Sequence, residues 1–173
     1  EKGRFPYGLA NRLHLETREH VIRRELLFGE GSPANPDVLY ESERNLRRLT
    51  FLHDNAQIET VPRPDGMVDV VVHVRDIWTT RPEISVRHEG GTTTGRLSFV
   101  EGNVLGFGKT AGISFRRELD RDSGGVLYKD SRLLGTRWTL ETEYFDLSDG
   151  LTYLLDARRP FYSLLTREAG GAG

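Results

Sequence analysis

The feature that most constrains this chain is a pair of alternating runs around a glycine-punctuated bend at residues 96–115, RLSFVEGNVLGFGKTAGISF. Before the bend, Leu97 and Phe99 share one face and Arg96 and Ser98 the other. After it, Ala111, Ile113 and Phe115 alternate with Thr110, Gly112 and Ser114. Period two on both sides of Gly and Asn predicts two antiparallel strands joined by a turn, because successive strand side chains point to opposite faces. The same unit then returns. Glu101, Leu105, Gly106 and Thr110 are echoed at Asp130, Leu134, Gly135 and Thr139, a constant offset of 29 residues. A hairpin repeated at a fixed interval predicts a meander or barrel wall rather than a compact mixed domain.

The wall extends in both directions. Strands are expected at 83–89, 94–101, 109–120, 126–129, 137–146 and 151–158, about six in all. Turns are expected at Gly90-Gly91, at 102–108, at Ser123-Gly124-Gly125, at 130–136 and at Ser148-Asp149-Gly150. If Trp138, Leu140, Thr142 and Tyr144 face outward, the inward set is Arg137, Thr139, Glu141 and Glu143, and Leu151, Tyr153 and Leu155 repeat the outward set. Membrane-spanning barrels alternate this way, with Trp and Tyr near the interfaces. The inner face of a soluble β-sandwich shows the same alternation, so the alternation alone leaves both open.

The first part of the chain reads differently. Residues 1–12 form a lead-in without periodicity, and Leu13 and Leu15 alternate with polar neighbours as in a short strand. Thr17 is the expected N-cap of a helix carrying Val21, Ile22 and Leu26, which Gly29 and Gly31 end. A second helix starts more sharply, with Asn35 as N-cap, Pro36 at the first helical position and Asp37 in the first turn. Leu39, Ser42, Leu46 and Leu49 then give it one half-buried stripe. Ala56 and Ile58 alternate with Gln57 and Glu59. After the turn at Pro62-Arg63-Pro64-Asp65-Gly66, Val68, Val70, Val72 and Val74 form an apolar face. The order strand, helix, helix, strand, strand implies an α+β unit with helices on one face of a small sheet.

Chemical motifs carry little. The net charge of −2 offers no electrostatic footprint for nucleic acid. Without cysteine there are no disulfides or thiolate metal sites. The five histidines show no ligand spacing. Gly108-Lys109-Thr110 fails as a phosphate loop: Gly102 stands one position too early, and a strand rather than a helix follows. His53-Asp54 reads as a capped turn rather than an acid–base pair, and Glu141 and Glu143 as a polar barrel interior rather than a hydrolytic pair. No nucleophile elbow is present. Enzymatic activity and cofactors are therefore not expected. No apolar run has the length of a membrane helix, a test that spanning strands escape because half of each is polar. The opening on Glu1 rather than Met, and the close on Ala169-Gly170-Gly171-Ala172-Gly173, suit a piece of a longer protein with a flexible tail at 166–173.

Several segments together carry a family resemblance. Val21-Ile22-Arg23-Arg24-Glu25-Leu26, Glu30-Gly31, Glu43-Arg44-Asn45-Leu46 with Leu49 and Phe51, and Val68-Asp69-Val70-Val71-Val72 resemble a POTRA domain. The pattern is similar to the membrane-proximal POTRA of the BamA-like outer-membrane assembly family, and residues 101–108 are similar to that family's hairpin between its second and third barrel strands. The resemblance implies a POTRA-like domain at 13–76, a connector at 77–82 and a partial outer-membrane β-barrel at 83–165. It implies insertion or translocation of proteins by strand pairing at the outer membrane, with the POTRA domain in the periplasm. The implied partners are unfolded outer-membrane or secreted clients, the lipid bilayer and periplasmic accessory proteins, with no nucleic acid. Two edges are the implied client sites: Ala56, Gln57, Ile58, Glu59 and Thr60 in the POTRA unit, and Ile84, Ser85, Val86 and Arg87 at the seam of the wall. A proline at Ser85 is expected to remove a donor from that seam. Phe99, Ile113, Phe115, Trp138, Leu140, Tyr144 and Tyr153 are the expected lipid-facing residues. Two other classes stay open: a passive barrel or porin tethered by its POTRA unit, and a soluble POTRA-containing interaction module.

The 13–76 segment contains enough apolar positions for one small core, so it is expected to fold by itself with modest stability. Circular dichroism of the isolated segment checks this; a disordered spectrum would contradict the POTRA reading.

Overall fold

The computed structural model describes residues 16–164 and 166–173. The lead-in at 1–12 and the strand expected around Leu13 and Leu15 lie outside the described residues. The chain divides into two units, Glu1–Trp78 with Leu105–Phe107, and Thr79–Val104 with Gly108–Gly173.

The first unit contains α1 (Glu19–Arg23), α2 (Pro36–Arg47), β1 (Gln57–Pro62) and β2 (Val68–His73). Helix α2 starts as its sequence dictates. Asn35 Oδ1 accepts the Asp37 amide at 2.9 Å, and Pro36 fills a position whose amide would lack a helical partner. Helix α1 is much shorter than expected. Thr17 is not its cap: its amide and hydroxyl both donate to the Asp76 carboxylate, at 2.7 and 2.6 Å, which leaves Arg18 at the capping position. At the other end the ladder tightens, with the Glu25 and Leu26 amides donating three residues back to Ile22 and Arg23, and the Leu27 amide then donates to Ser42 Oγ at 2.9 Å. Both helices cover one face of the antiparallel β1–β2 pair. The core is Val21, Ile22, Leu46, Phe51, Leu52 and Ala56, with Leu26, Leu49, Ile58 and Val72 packed against it. Ala56 continues the alternation with Ile58, but Phe51 and Leu52 escaped the periodicity argument because they lie in the link between helix and strand, where no period holds.

The second unit is, among the described residues, a seven-stranded antiparallel sheet in chain order. Its strands are β3 (Thr80–Glu89), β4 (Thr92–Glu101), β5 (Lys109–Arg117), β6 (Asp122–Asp130), β7 (Thr139–Leu147), β8 (Gly150–Arg159) and β9 (Gly170–Ala172). The α+β unit followed by an antiparallel meander is the fold class read from the sequence. The 29-residue repeat is realised as one turn used twice. Leu105 and Leu134 both have φ of 52°, and each is followed by a left-handed glycine, Gly106 at 74° and Gly135 at 77°. A leucine at positive φ is held only where the surrounding chain over-determines it.

Three expectations change. Strand β3 begins at Thr80, inside the stretch read as a connector. The tail read as flexible contains β9, paired with Ala157, Arg158 and Arg159. Glycine permits that pairing, since a Cβ at Gly171 would lie 2.8 Å from Arg158 Cβ and 2.9 Å from the Ala157 carbonyl oxygen. Finally, Ser123-Gly124-Gly125 is not a turn but the interior of β6. The chain reverses earlier, where the Glu118 amide donates to the Arg121 carbonyl at 2.9 Å. The two glycines serve the sheet by lacking side chains. A Cβ at Gly125 would sit 2.2 Å from Phe145 Cδ1, and one at Gly124 would sit 3.3 Å from the Phe115 ring. Each glycine leaves room for an aromatic ring from the neighbouring strand, the cross-strand device that keeps glycine tolerable in a sheet.

Gly125→Ala is therefore expected to cost about 1–3 kcal/mol through overpacking, and Phe145→Leu in the same chain to return most of that loss. Denaturant unfolding of the complete protein in lipid measures both; additive losses would contradict the contact.

Candidate functional site

Strand β1 lies at one edge of the two-stranded sheet of the first unit. In an antiparallel pair, alternate residues turn both backbone groups toward the partner strand, and the others turn theirs away. The Arg63 amide donates to the Met67 carbonyl at 2.9 Å, which makes 63 and 67 a bonded pair. The register then has Gln57, Glu59 and Val61 facing β2, and Ile58, Thr60 and Pro62 turned outward. Pro62 occupies an outward position, where its missing donor costs no ladder bond and removes one donor from the edge. The predicted edge residues are thus adjacent and extended, but they are not equivalent. The outward Ala56 carbonyl already accepts from Arg47 Nε at 3.1 Å, and the outward Ile58 amide donates to Glu43 Oε2 at 2.8 Å.

Strand β3 is the first in its sheet, so no strand covers its outer side among the described residues. Gly90 and Gly91 join it to β4 with φ of 57° and 84°. Two positive φ values in a two-residue loop define a type I′ hairpin turn. In such a turn the flanking residues, here Glu89 and Thr92, form a bonded pair, and with them every second pair down to Ser85 and Arg96. The Ser85 amide therefore faces β4. The outward donors belong to Ile84 and Val86, and outward Pro82 again lacks one. The expectation that a proline at Ser85 would strip the seam is corrected by this register.

The register also sorts the side chains of the second unit. Pro82, Phe99, Ile113, Val126, Tyr144 and Tyr153 form one row across six strands, since each is the direct partner of the next. Ile84, Leu97, Phe115 and Leu151 belong to the adjacent row on the same face, with Gly124 and Asp146. Leu140 and Ala157 lie on that face further along β7 and β8. Leu140 and Ala157 are half-buried, whereas the apolar side chains of the two rows are uncovered, with Ile113 50% and Tyr153 77% exposed. Six of the seven residues singled out as lipid-facing share this face. Trp138 stands just outside β7, where its carbonyl accepts the Leu133 amide at 2.8 Å. Charged pairs bound the face on β5 and β6, Lys109 with Asp130 at 3.1 Å and Arg117 with Asp122 at 3.3 Å. From Lys109 to Arg117 the strand rises about 26 Å, and at a tilt of about 40° that gives an apolar height of about 20 Å.

The opposite face is the more polar of the two, although Val100, Leu127, Phe145 and Leu154 also lie on it. Arg96 pairs with Glu83 at 3.2 Å, and Glu141 is held by both Lys129 at 3.5 Å and Arg158 at 2.9 Å. Glu141 is thus part of a cross-strand ion network, the arrangement expected of a polar wall. His53 and Asp54 meet at 2.9 Å in an exposed link, and the Asn55 amide lies 3.3 Å from the same ring nitrogen, which describes a turn. Among the described residues no three His, Cys, Asp or Glu side chains gather as metal ligands.

Comparison with known proteins agrees with this arrangement. Residues 14–76 match the family model described as POTRA, surface antigen variable number repeat. No curated protein matches the sequence. Among solved structures, the chain is similar to BamA from Haemophilus ducreyi lacking POTRA domains 1–3, with a TM-score of 0.62 and 17% identity. That match covers 83% of this chain but only 30% of the length of that one. The resemblance drawn from the sequence is borne out at the level of fold: a POTRA unit followed by antiparallel strands like those of a BamA barrel wall.

The β3 register makes a separable prediction. Ser85→Pro should cost about 1–3 kcal/mol by leaving the carbonyl of Arg96 without its donor, and should loosen β4. Val86→Pro should leave the hairpin paired and remove one outward donor. Hydrogen exchange along β4 distinguishes them; equal loosening would contradict the register.

Proposed function

We propose that the chain is the POTRA-and-first-strands portion of an outer-membrane protein that assembles other proteins into, or moves them across, that membrane. The wall lies in the bilayer and the POTRA unit in the periplasm. The observation that carries this reading is the uncovered apolar face running from β3 to β8, opposite a face of cross-strand ion pairs. Exposed contiguous apolar surface marks a face that something else covers. A band about 20 Å tall, bounded by charge and backed by a polar face, suits a lipid-facing barrel wall. A sandwich would bring a second sheet onto such a face, and among the described residues the second unit has only one sheet.

The proposed work is done by backbone hydrogen bonding. An edge strand presents outward amides and carbonyls, and an incoming extended segment completes the ladder, while side-chain pockets add selectivity. In this reading the clients are unfolded outer-membrane or secreted proteins, and the edges that receive them are β1 and β3. Periplasmic accessory proteins are further partners. The role is non-enzymatic and uses no cofactor; Glu141, one of the two carboxylates weighed as a hydrolytic pair, is ion-paired with Lys129 and Arg158. Two prolines turned outward, Pro62 and Pro82, limit how many donors each edge offers. Such edges favour brief capture over permanent pairing.

Two substitutions at neighbouring residues test the membrane placement. Ile113→Arg puts a charge in the middle of the apolar row, at an expected cost of about 2–4 kcal/mol near the bilayer midplane. Ser114→Arg puts the same charge on the polar face and should be nearly neutral. Membrane integration of the complete protein, read by resistance to urea extraction, should fall for the first variant only. Equal tolerance of both would overturn the reading.

A further inference from the structure

Resting on that reading, the structure assigns to Glu43 and Arg47 the role of a latch that shortens the POTRA edge and sets where a client strand can pair. The two side chains stand one helical turn apart on α2 and bond to each other, Arg47 donating to Glu43 Oε1. From there they reach the edge of β1. Arg47 Nε donates to the Ala56 carbonyl at 3.1 Å, and Glu43 Oε2 accepts the Ile58 amide at 2.8 Å.

The choice of these two backbone groups is what matters. In an antiparallel ladder a neighbouring strand can bridge at residue i through the carbonyl of i−1 and the amide of i+1. For Gln57 those groups are the Ala56 carbonyl and the Ile58 amide. The guanidinium and carboxylate supply one donor and one acceptor, as the backbone of an added strand would at that position. The next bridge, at Glu59, uses the Ile58 carbonyl and the Thr60 amide, both turned outward beyond the latch. A bridge at Val61 would use the Thr60 carbonyl and the Pro62 nitrogen, which has no hydrogen. With the latch closed, an extended client therefore makes one full bridge at Glu59 and half a bridge at Val61. Opening the latch adds a second full bridge, at Gln57.

The partner this surface fits is a short extended segment with a free edge, held by few bonds and released readily. Charge-assisted hydrogen bonds such as these are stronger than the neutral bonds a client offers in exchange. Displacing the latch is therefore unfavourable unless the client contributes further contacts. The latch lets Thr60 engage first and makes extension toward Gln57 a second, conditional step.

The test uses the complete protein with single cysteines at Gln57 or Val61, which share one face of β1, and a small β-barrel client carrying one cysteine in its last strand. Disulfide capture at Val61 but not Gln57, with capture at Gln57 rising about tenfold or more in Glu43→Ala/Arg47→Ala, as loss of charge-assisted bonds predicts, supports the latch. Equal capture at both positions without the substitutions overturns the latch and leaves strand recruitment standing. Capture at neither position, before or after the substitutions, overturns strand recruitment at β1 and the latch with it. Amide exchange in the client-free protein reads the latch directly: Ile58 should exchange about tenfold or more slowly than Thr60. Similar rates at the two amides would overturn it even if the double variant fails to fold.

Discussion

The antiparallel ladder from β3 to β9 is the interaction on which the second unit depends. Among the described residues no second layer packs on this sheet, so its cohesion comes from backbone hydrogen bonds between neighbours and from side chains paired across them. Register then decides everything else. A slip of one residue on any strand would move its apolar set to the polar face and its charges to the apolar one. The row from Phe99 through Ile113 and Val126 to Tyr144 and Tyr153 exists because four consecutive strand pairs keep the same parity. Cross-strand ion pairs such as Arg96 with Glu83 hold the same register from the other face.

Where two large side chains would compete for one site, the sheet places glycine. Gly125 leaves room for Phe145 on the polar face, and Gly124 lies against Phe115 on the apolar one. The cost is a strand segment with little intrinsic preference for its conformation. The rings that fill the space offset it. Glycine does different work in the tight reversals, where Gly90, Gly91, Gly106 and Gly135 take positive φ. The same residue type serves two purposes, and sequence spacing alone does not separate them.

The two edges show a common logic. Each has an outward proline, and the POTRA edge has in addition a side-chain pair reaching over from α2. An unprotected edge invites pairing with any extended chain, including another copy of itself. An edge protected over its whole length could recruit nothing. In the proposed function, partial protection reconciles capture with release, and it ties the β1 edge to a helix whose buried residues also build the core of its own unit.

Period-two alternation, the 29-residue repeat and the Asn35-Pro36 helix start were legible in the chain itself because each is a local signal: a side chain's direction or a cap depends on residues within a few positions. They were enough to read the fold class, the two parts and the membership of the apolar face. Other features required the tertiary structure. Gly124-Gly125 looks like a turn until Phe115 and Phe145 are seen to need the space, and Thr17 looks like a cap until Asp76, distant in sequence, claims its hydroxyl. The direction of the Ser85 amide depends on the turn type at Gly90-Gly91 and on pairing with β4. The bonds from Glu43 and Arg47 to β1 run from a helix to a strand, and the periodicity of neither element announces them. In each case the deciding partner comes from another element, and only folding brings the two within hydrogen-bond or van der Waals distance.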